Sequence, residues 1–341
     1  MAKYKEISLE RAIEGHKRWC AAAGYSRNTL LDYGNTMNFF LAWLGEQVGI
    51  GPDCMVNEVE ADHIEAFIIH MKSEPISRCV GVTEEYAPDD EPVRFRSAKT
   101  LRNYHIGLAS LWSWAVDKGF AKAHVVKQVK PPRVHQDPII PLTADQVAAL
   151  FRACDFSRPW KNKPNSRNAQ ATGPRDRAIL AVLVDTALRA DELINLKMAD
   201  VTFHSQGGEL IIHLGKGGKR RFVPFQRRAA NYLNDWLLYR PESRQDWLFV
   251  NVKRNPGHKM TRDVLTRHVK RLGKRAEVKC SPHLLRTTAA CLMVQNGMGV
   301  LELQRIMGHS DVSTTMRYVR AAQIDIREAM RTASPLDNLR L

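Results

Sequence analysis

Residues 208–225 read GELIIHLGKGGKRRFVPF and break the pattern of the chain around them. Elsewhere the apolar residues recur every three or four positions; here the periodicity becomes alternating around a glycine-rich centre. Two strands joined by a tight turn, a β-hairpin, is the reading. Upstream, RAILAVLVDTAL at 177–188 is apolar enough for a buried helix, and from Arg227 to the end the spacing is helical again. The expected fold of this half is therefore mainly α with a small antiparallel β-sheet, an α+β domain.

The first half reads as helices throughout. LERAIEGHKRWCAAAG (9–24) stops at a glycine. SRNTLLDYGNTMNFFLAWLGEQ (26–47) starts at a Ser cap and carries a stripe of Leu30, Tyr33, Met37, Phe40, Leu41 and Leu44. EADHIEAFIIHMKS and SAKTLRNYHIGLASLWSWAVDKGF repeat the pattern, separated by a polar, acidic loop over 76–95. Pro131, Pro132, Pro138 and Pro141 then forbid a continuous helix. The expected organisation is a helical domain over 1–130, a proline-rich linker over 131–141 and a second domain over 142–341. Thr143 caps the next helix, and a basic surface loop is expected over 157–175.

The 341 residues carry 51 Lys and Arg against 36 Asp and Glu, a net charge of +15. An excess of that size favours a polyanionic partner, nucleic acid first. No apolar run reaches the length of a membrane span, and the first twenty residues lack a signal peptide's apolar stretch. Six scattered cysteines without C-x-x-C spacing read as reduced thiols, so a cytoplasmic location is expected.

Four elements carry reactive residue types. TALRADEL sets Arg189 at a helix start with Glu192 three residues on, where the carboxylate can fix the guanidinium or form a plain surface ion pair. Lys216 sits at the tip of the hairpin. SPHLLRTTAAC spaces His283 and Arg286 by three. In IMGHSDVSTTMRYVR (306–320), His309 follows the helix-ending Gly308, and Ser313 can cap a new helix carrying Tyr318. Nine residues separate His309 from Tyr318, so they meet only if the chain bends at GHSDVS. Taken alone, Tyr318 is most simply a core aromatic.

Together, these types suit attack on a phosphodiester without a metal. Arginine forks bind the non-bridging oxygens, a tyrosine can attack phosphorus, and lysine or histidine can protonate the departing oxygen. Clustered carboxylates, H-E-x-x-H and G-x-S-x-G are missing from the sequence, so neither a metal nor another cofactor is expected.

On these stretches the chain resembles the tyrosine recombinase (phage integrase-like) family. TALRADELINL, LGKGGKRRFVPF, SPHLLRTTAA and MGHSDVSTTMRYV stand in that family's order, with His283, Arg286, His309 and Tyr318 spaced 3, 23 and 9. The resemblance implies a helical core-binding domain followed by a catalytic domain, closing as a C-shaped clamp on double-stranded DNA. It implies that Arg189 and Arg286 clamp the scissile phosphate with His309, and that Lys216 is the general acid. His283 would assist proton transfer from Tyr318, which forms a 3′-phosphotyrosine bond, and Glu192 would support Arg189. Thr287 and Ala187 stand where many members have His and Gly. Site-specific recombination or integration, independent of ATP and of a kind used by mobile elements, is the implied activity. A topoisomerase IB-like enzyme and a non-catalytic DNA-binding protein are the alternatives. The resemblance further implies a homo-tetramer on DNA linked by the tail after Ala321, with no membrane partner. Arg27, Asn28, Lys99, Thr100 and Arg102, near helix starts of the first domain, can face DNA.

Overall fold

Ser26 accepts a hydrogen bond from the Thr29 amide, and Ser97 does the same for Thr100, so two of the longest helices begin where the sequence places caps. In the computed structural model, residues 4–76, 94–135, 138–156, 170–213, 220–322 and 334 are described. The chain divides into two units, Met1–Gln136 and Asp137–Leu341.

The first unit contains α1 (Leu9–Ala22), α2 (Arg27–Trp43), α3 (Ala61–Ser73) and α4 (Ala98–Asp117). Its core gathers Phe40, Phe67, Trp43 and Trp112, with the Phe40 and Phe67 rings edge to face at 5.1 Å. Each such side chain contributes about 1.5–3 kcal/mol through burial. Gly107 lets α4 approach α2: a Cβ there would stand 3.2 Å from Thr36 Cγ2. Phe39 meets Tyr104, Thr36 meets Gly107 and Tyr33 meets Ser110, so α2 and α4 run antiparallel.

His16 is buried against Ser110 and Cys20 in this unit. Burial pushes its pKa down from 6.5 to about 4. A histidine lowered in the fold contributes stability that is whole above pH 6.5 and is lost as pH falls toward 4. An NMR titration is expected to find the His16 ring neutral down to about pH 5; protonation near 6.5 would contradict its burial.

The second unit holds α5 (Ala144–Asp155), α6 (Gly173–Thr186), α7 (Ala190–Ile194), the strands β1 (Val201–His204), β2 (Gly207–His213) and β3 (Arg220–Gln226), then α8 (Arg227–Tyr239), α9 (Arg262–Ala276), α10 (Pro282–Gln295), α11 (Val300–Met307) and α12 (Val312–Ala321). The antiparallel sheet runs β1-β2-β3, with His213 paired to Arg220 where the hairpin leaves the described residues. Its inner face, Leu210, Ile212, Val223 and Phe225, packs in one core with residues of α6 and α8. Pro224 is accommodated because β3 is an edge strand. No helix among the described residues is long and apolar enough to cross a membrane.

Several expectations are corrected. The sheet has a third strand, β1, too short to announce itself. Asp311, not Ser313, caps α12: its carboxylate accepts from the Ser313 amide at 2.8 Å and hydroxyl at 2.6 Å. The basic segment does not stay a surface loop to residue 175. Arg175 and Asp176 lie in the first turn of α6, each 1% exposed and paired to one another at 2.7 Å. Residues 157–169 and most of the 76–95 loop lie outside the described residues, as does Cys79; Cys54 is only partly buried.

Candidate active site

The sequence brings three arginines to the C-terminal end of α11. A helix ends with carbonyls that have no intrahelical partner and a partial negative charge. Here Arg221 Nε donates to the Ile306 carbonyl at 2.8 Å. Arg189 Nη1 and Arg286 Nη2 both donate to the Met307 carbonyl, at 3.1 and 3.0 Å, and Arg189 Nη2 reaches Gly308. Arg286 Nη1 also holds the carbonyl of Ala187. That residue ends α6 in the left-handed region at φ 51°, a conformation glycine adopts more easily.

One carboxylate serves all three guanidiniums. Glu192 accepts from Arg221 through both oxygens at 2.9 Å, from the Arg189 side chain at 3.1 Å and from the Arg189 amide at 2.8 Å. Arg286 stands 3.9 Å away. Burial pushes the Glu192 carboxyl up, but the hydrogen bonds and charges of Arg221 and Arg189 outweigh it and hold it below the usual range. The plain surface pair foreseen as one option for Arg189 and Glu192 is thus the exposed corner of a buried cluster. Arg221, not singled out in the sequence, holds Glu192 through two hydrogen bonds.

Three cations around one anion leave an excess positive charge beside a cleft of about 850 Å³. Arg189, His283, Arg286, His309 and Tyr318 all line it. Burial, then the charges of Arg189 and Arg221, outweigh the opposing pull of Glu192 and bring the Arg286 guanidinium down to about 10, still charged at neutral pH. His309 bridges the cluster to α12. Its Nε2 accepts from Arg286 at 3.0 Å, because a guanidinium can only donate, so Nδ1 carries the proton toward Thr315 Oγ1 at 2.9 Å. Burial and the neighbouring arginines push its pKa down to about 4, so the ring is neutral at physiological pH.

The bend required at GHSDVS is present. Gly308 turns the chain at φ 64°, and the His309 and Tyr318 rings stack 6.1 Å apart at 19°. A Cβ on Gly308 would stand 2.9 Å from Arg221 Nη1. Gly308→Ala is therefore expected to lower stability by about 1–2 kcal/mol from backbone strain alone; urea unfolding checks this, and an unchanged midpoint would contradict it.

Tyr318 is 7% exposed and packs with Ala289, Ala290 and Cys291, as a core aromatic would. Among the described residues, however, no hydrogen bond satisfies its hydroxyl, and the phenol is near enough to Arg286 to act on its charge. The hydroxyl is not one of the buried unpartnered atoms, and Tyr318 lines the cleft. Lys216 lies outside the described residues.

The proposed DNA contacts of the first unit do not form one cluster. Arg27 and Asn28 begin α2 and Lys99, Thr100 and Arg102 begin α4, at opposite ends of the antiparallel pair. The Thr100 hydroxyl is already engaged with Ser97 at 3.0 Å.

The sequence profile described as the phage integrase family matches residues 141–324. Tyrosine recombinase XerC of Corynebacterium glutamicum is 30% identical over 247 residues, 70% of this chain and 73% of that protein. Tyrosine recombinase XerD of Listeria monocytogenes serotype 4b is 25% identical over 320 residues, covering 92% and 94%. In fold, the chain is similar to XerH site-specific recombinase bound to a palindromic difH substrate, with a TM-score of 0.65, 17% identity and 96% of each chain covered.

Proposed function

The chain belongs to the phage integrase family, and on that premise we propose that it is a site-specific recombinase of double-stranded DNA. The observation that carries the reading is a tyrosine hydroxyl without a protein partner among the described residues, beside arginines whose charge one carboxylate does not cancel. A phosphodiester supplies the missing anion.

The chemistry follows from the residue types. Tyr318 Oη attacks phosphorus and its proton passes to His283. The bond to the 5′-oxygen breaks, and that oxygen takes a proton from Lys216. A 3′-phosphotyrosine remains, and a 5′-hydroxyl from another strand reverses the step. One phosphate diester replaces another, so no ATP is consumed. Arg189 and Arg286 hold the non-bridging oxygens, and Glu192 keeps both in place with Arg221. A hydrogen bond from His309 to the phosphate requires Arg286 to turn from Nε2 toward that phosphate and the imidazole proton to move to Nε2. The Thr315 hydroxyl donates as readily as it accepts, so it supports both tautomers.

The reading extends to a core-binding role for the first unit, to a tetramer on DNA linked by the tail after Ala321, and to work in the cytoplasm. A supercoiled plasmid bearing two copies of the bound site, incubated with the protein in EDTA, tests it. Two recombinant circles are expected. Relaxation without exchange would favour the topoisomerase-like alternative, and binding without either product would overturn catalysis.

A further inference from the structure

Helix α9 has two opposed faces. Arg262 and Thr266 line the cleft of Tyr318. At about 100° per residue, Arg267, Arg271 and Arg275 point roughly half a turn away. That second face walls a separate depression of about 610 Å³, closed by the start of α6 and by residues 251–255.

Arg175, Lys253, Arg254, Arg267, Arg271 and Arg275 line it, with Asp176 the only acid among the described residues. Asp176 is already satisfied by Arg175 and by the Thr172 hydroxyl at 2.9 Å. Among the described residues, none of the other five cations has an ion pair with a carboxylate. Arg275 Nε is buried without a hydrogen-bond partner. His268, held against Arg175 at 3.2 Å, is pushed down to about 4 by burial and then by that charge, so it is neutral here.

Unpaired cations on concave walls focus a positive field and draw an anion. The three α9 arginines stand at i, i+4 and i+8, about 12 Å along the axis at 1.5 Å per residue. That length exceeds one phosphate and suits three or four successive ones at roughly 3.4 Å of duplex each. Among the described residues, no Phe, Tyr or Trp lines the depression to stack a base, whereas Asn251, Asn255 and Gln170 add donors. We propose that this depression binds the sugar–phosphate backbone of a DNA segment other than the one held at Tyr318. Only the choice of polymer rests on the recombinase reading.

The test uses the full chain and the variant Arg267→Gln/Arg271→Gln. Both side chains are exposed and neither lines the Tyr318 cleft. Binding is measured against salt on a short duplex holding the bound site alone and on one with long flanks. On the long duplex the slope of log K against log[salt] is expected to fall by about 2 in the variant. On the short one, slope and adduct formation stay unchanged. Equal slopes for both proteins on the long duplex would overturn the proposal, and so would an equal fall on both duplexes. Loss of poly-glutamate binding with DNA binding intact would give the depression to an acidic protein and overturn it too. Missing adduct on the short duplex counts against the recombinase reading alone, because the slopes are binding measurements.

Discussion

Tyr318→Phe is expected to reduce single-turnover cleavage of a nicked duplex by about 10⁴-fold or more. The substitution removes one oxygen, the only nucleophile the site offers at that position. The ring keeps its packing with Ala289, Ala290 and Cys291. The hydroxyl has no hydrogen-bond partner among the described residues, so its loss leaves no orphaned group in the core. Unfolding midpoint and DNA affinity are accordingly expected to stay near those of the parent. A variant that unfolds early would mean that the phenol holds the fold together and that lost cleavage says little about chemistry.

Glu192→Gln is expected to be the most damaging change to stability. It removes the one negative charge among Arg189, Arg221 and Arg286 and leaves the buried Arg221 and Arg286 without it. Breaking a buried pair from one side costs about 3–5 kcal/mol, which lowers Tm by about 6–20 °C in a unit of roughly 200 residues. That is a large part of a total near 5–15 kcal/mol. The pH dependence carries a sign. The Glu192 carboxyl sits below its ordinary range in the fold, so its contribution is whole at neutral pH and fades as pH falls through that range. Calorimetry at several pH values is expected to show a flatter acid limb in the variant. Equal Tm values at neutral pH would contradict the shared-carboxylate arrangement.

How much was legible depended on whether a residue's role is local. Ser26, Ser97 and Thr143 act within one helical turn, and their caps are where the sequence puts them. The hairpin and the turn at Gly308 are equally local. Arg189, Glu192, His283, Arg286, His309 and Tyr318 were singled out by type and spacing, and the fold sets all but Glu192 along one cleft and places Glu192 beneath it.

Arg221 escaped because its partners come from α7 and α11, distant in sequence. A signal existed: it alternates with Val223 and Phe225 on the inner face of β3, the one charge on an apolar row. Arg175 and Asp176 looked like the end of a basic loop because each is polar; only together, with Thr172, do they become buriable. The antiparallel run of α2 and α4, which separates Arg27 from Lys99, depends on packing that helix propensity does not encode.

The central claim is that Tyr318 bonds covalently to DNA. It is tested most directly by trapping the protein on a nicked duplex in EDTA and sequencing the DNA-bearing peptide by mass spectrometry. A 3′-phosphate attached to the peptide containing Tyr318 is expected. An adduct on another residue, a 5′ linkage, or binding to the correct site with no adduct would contradict it.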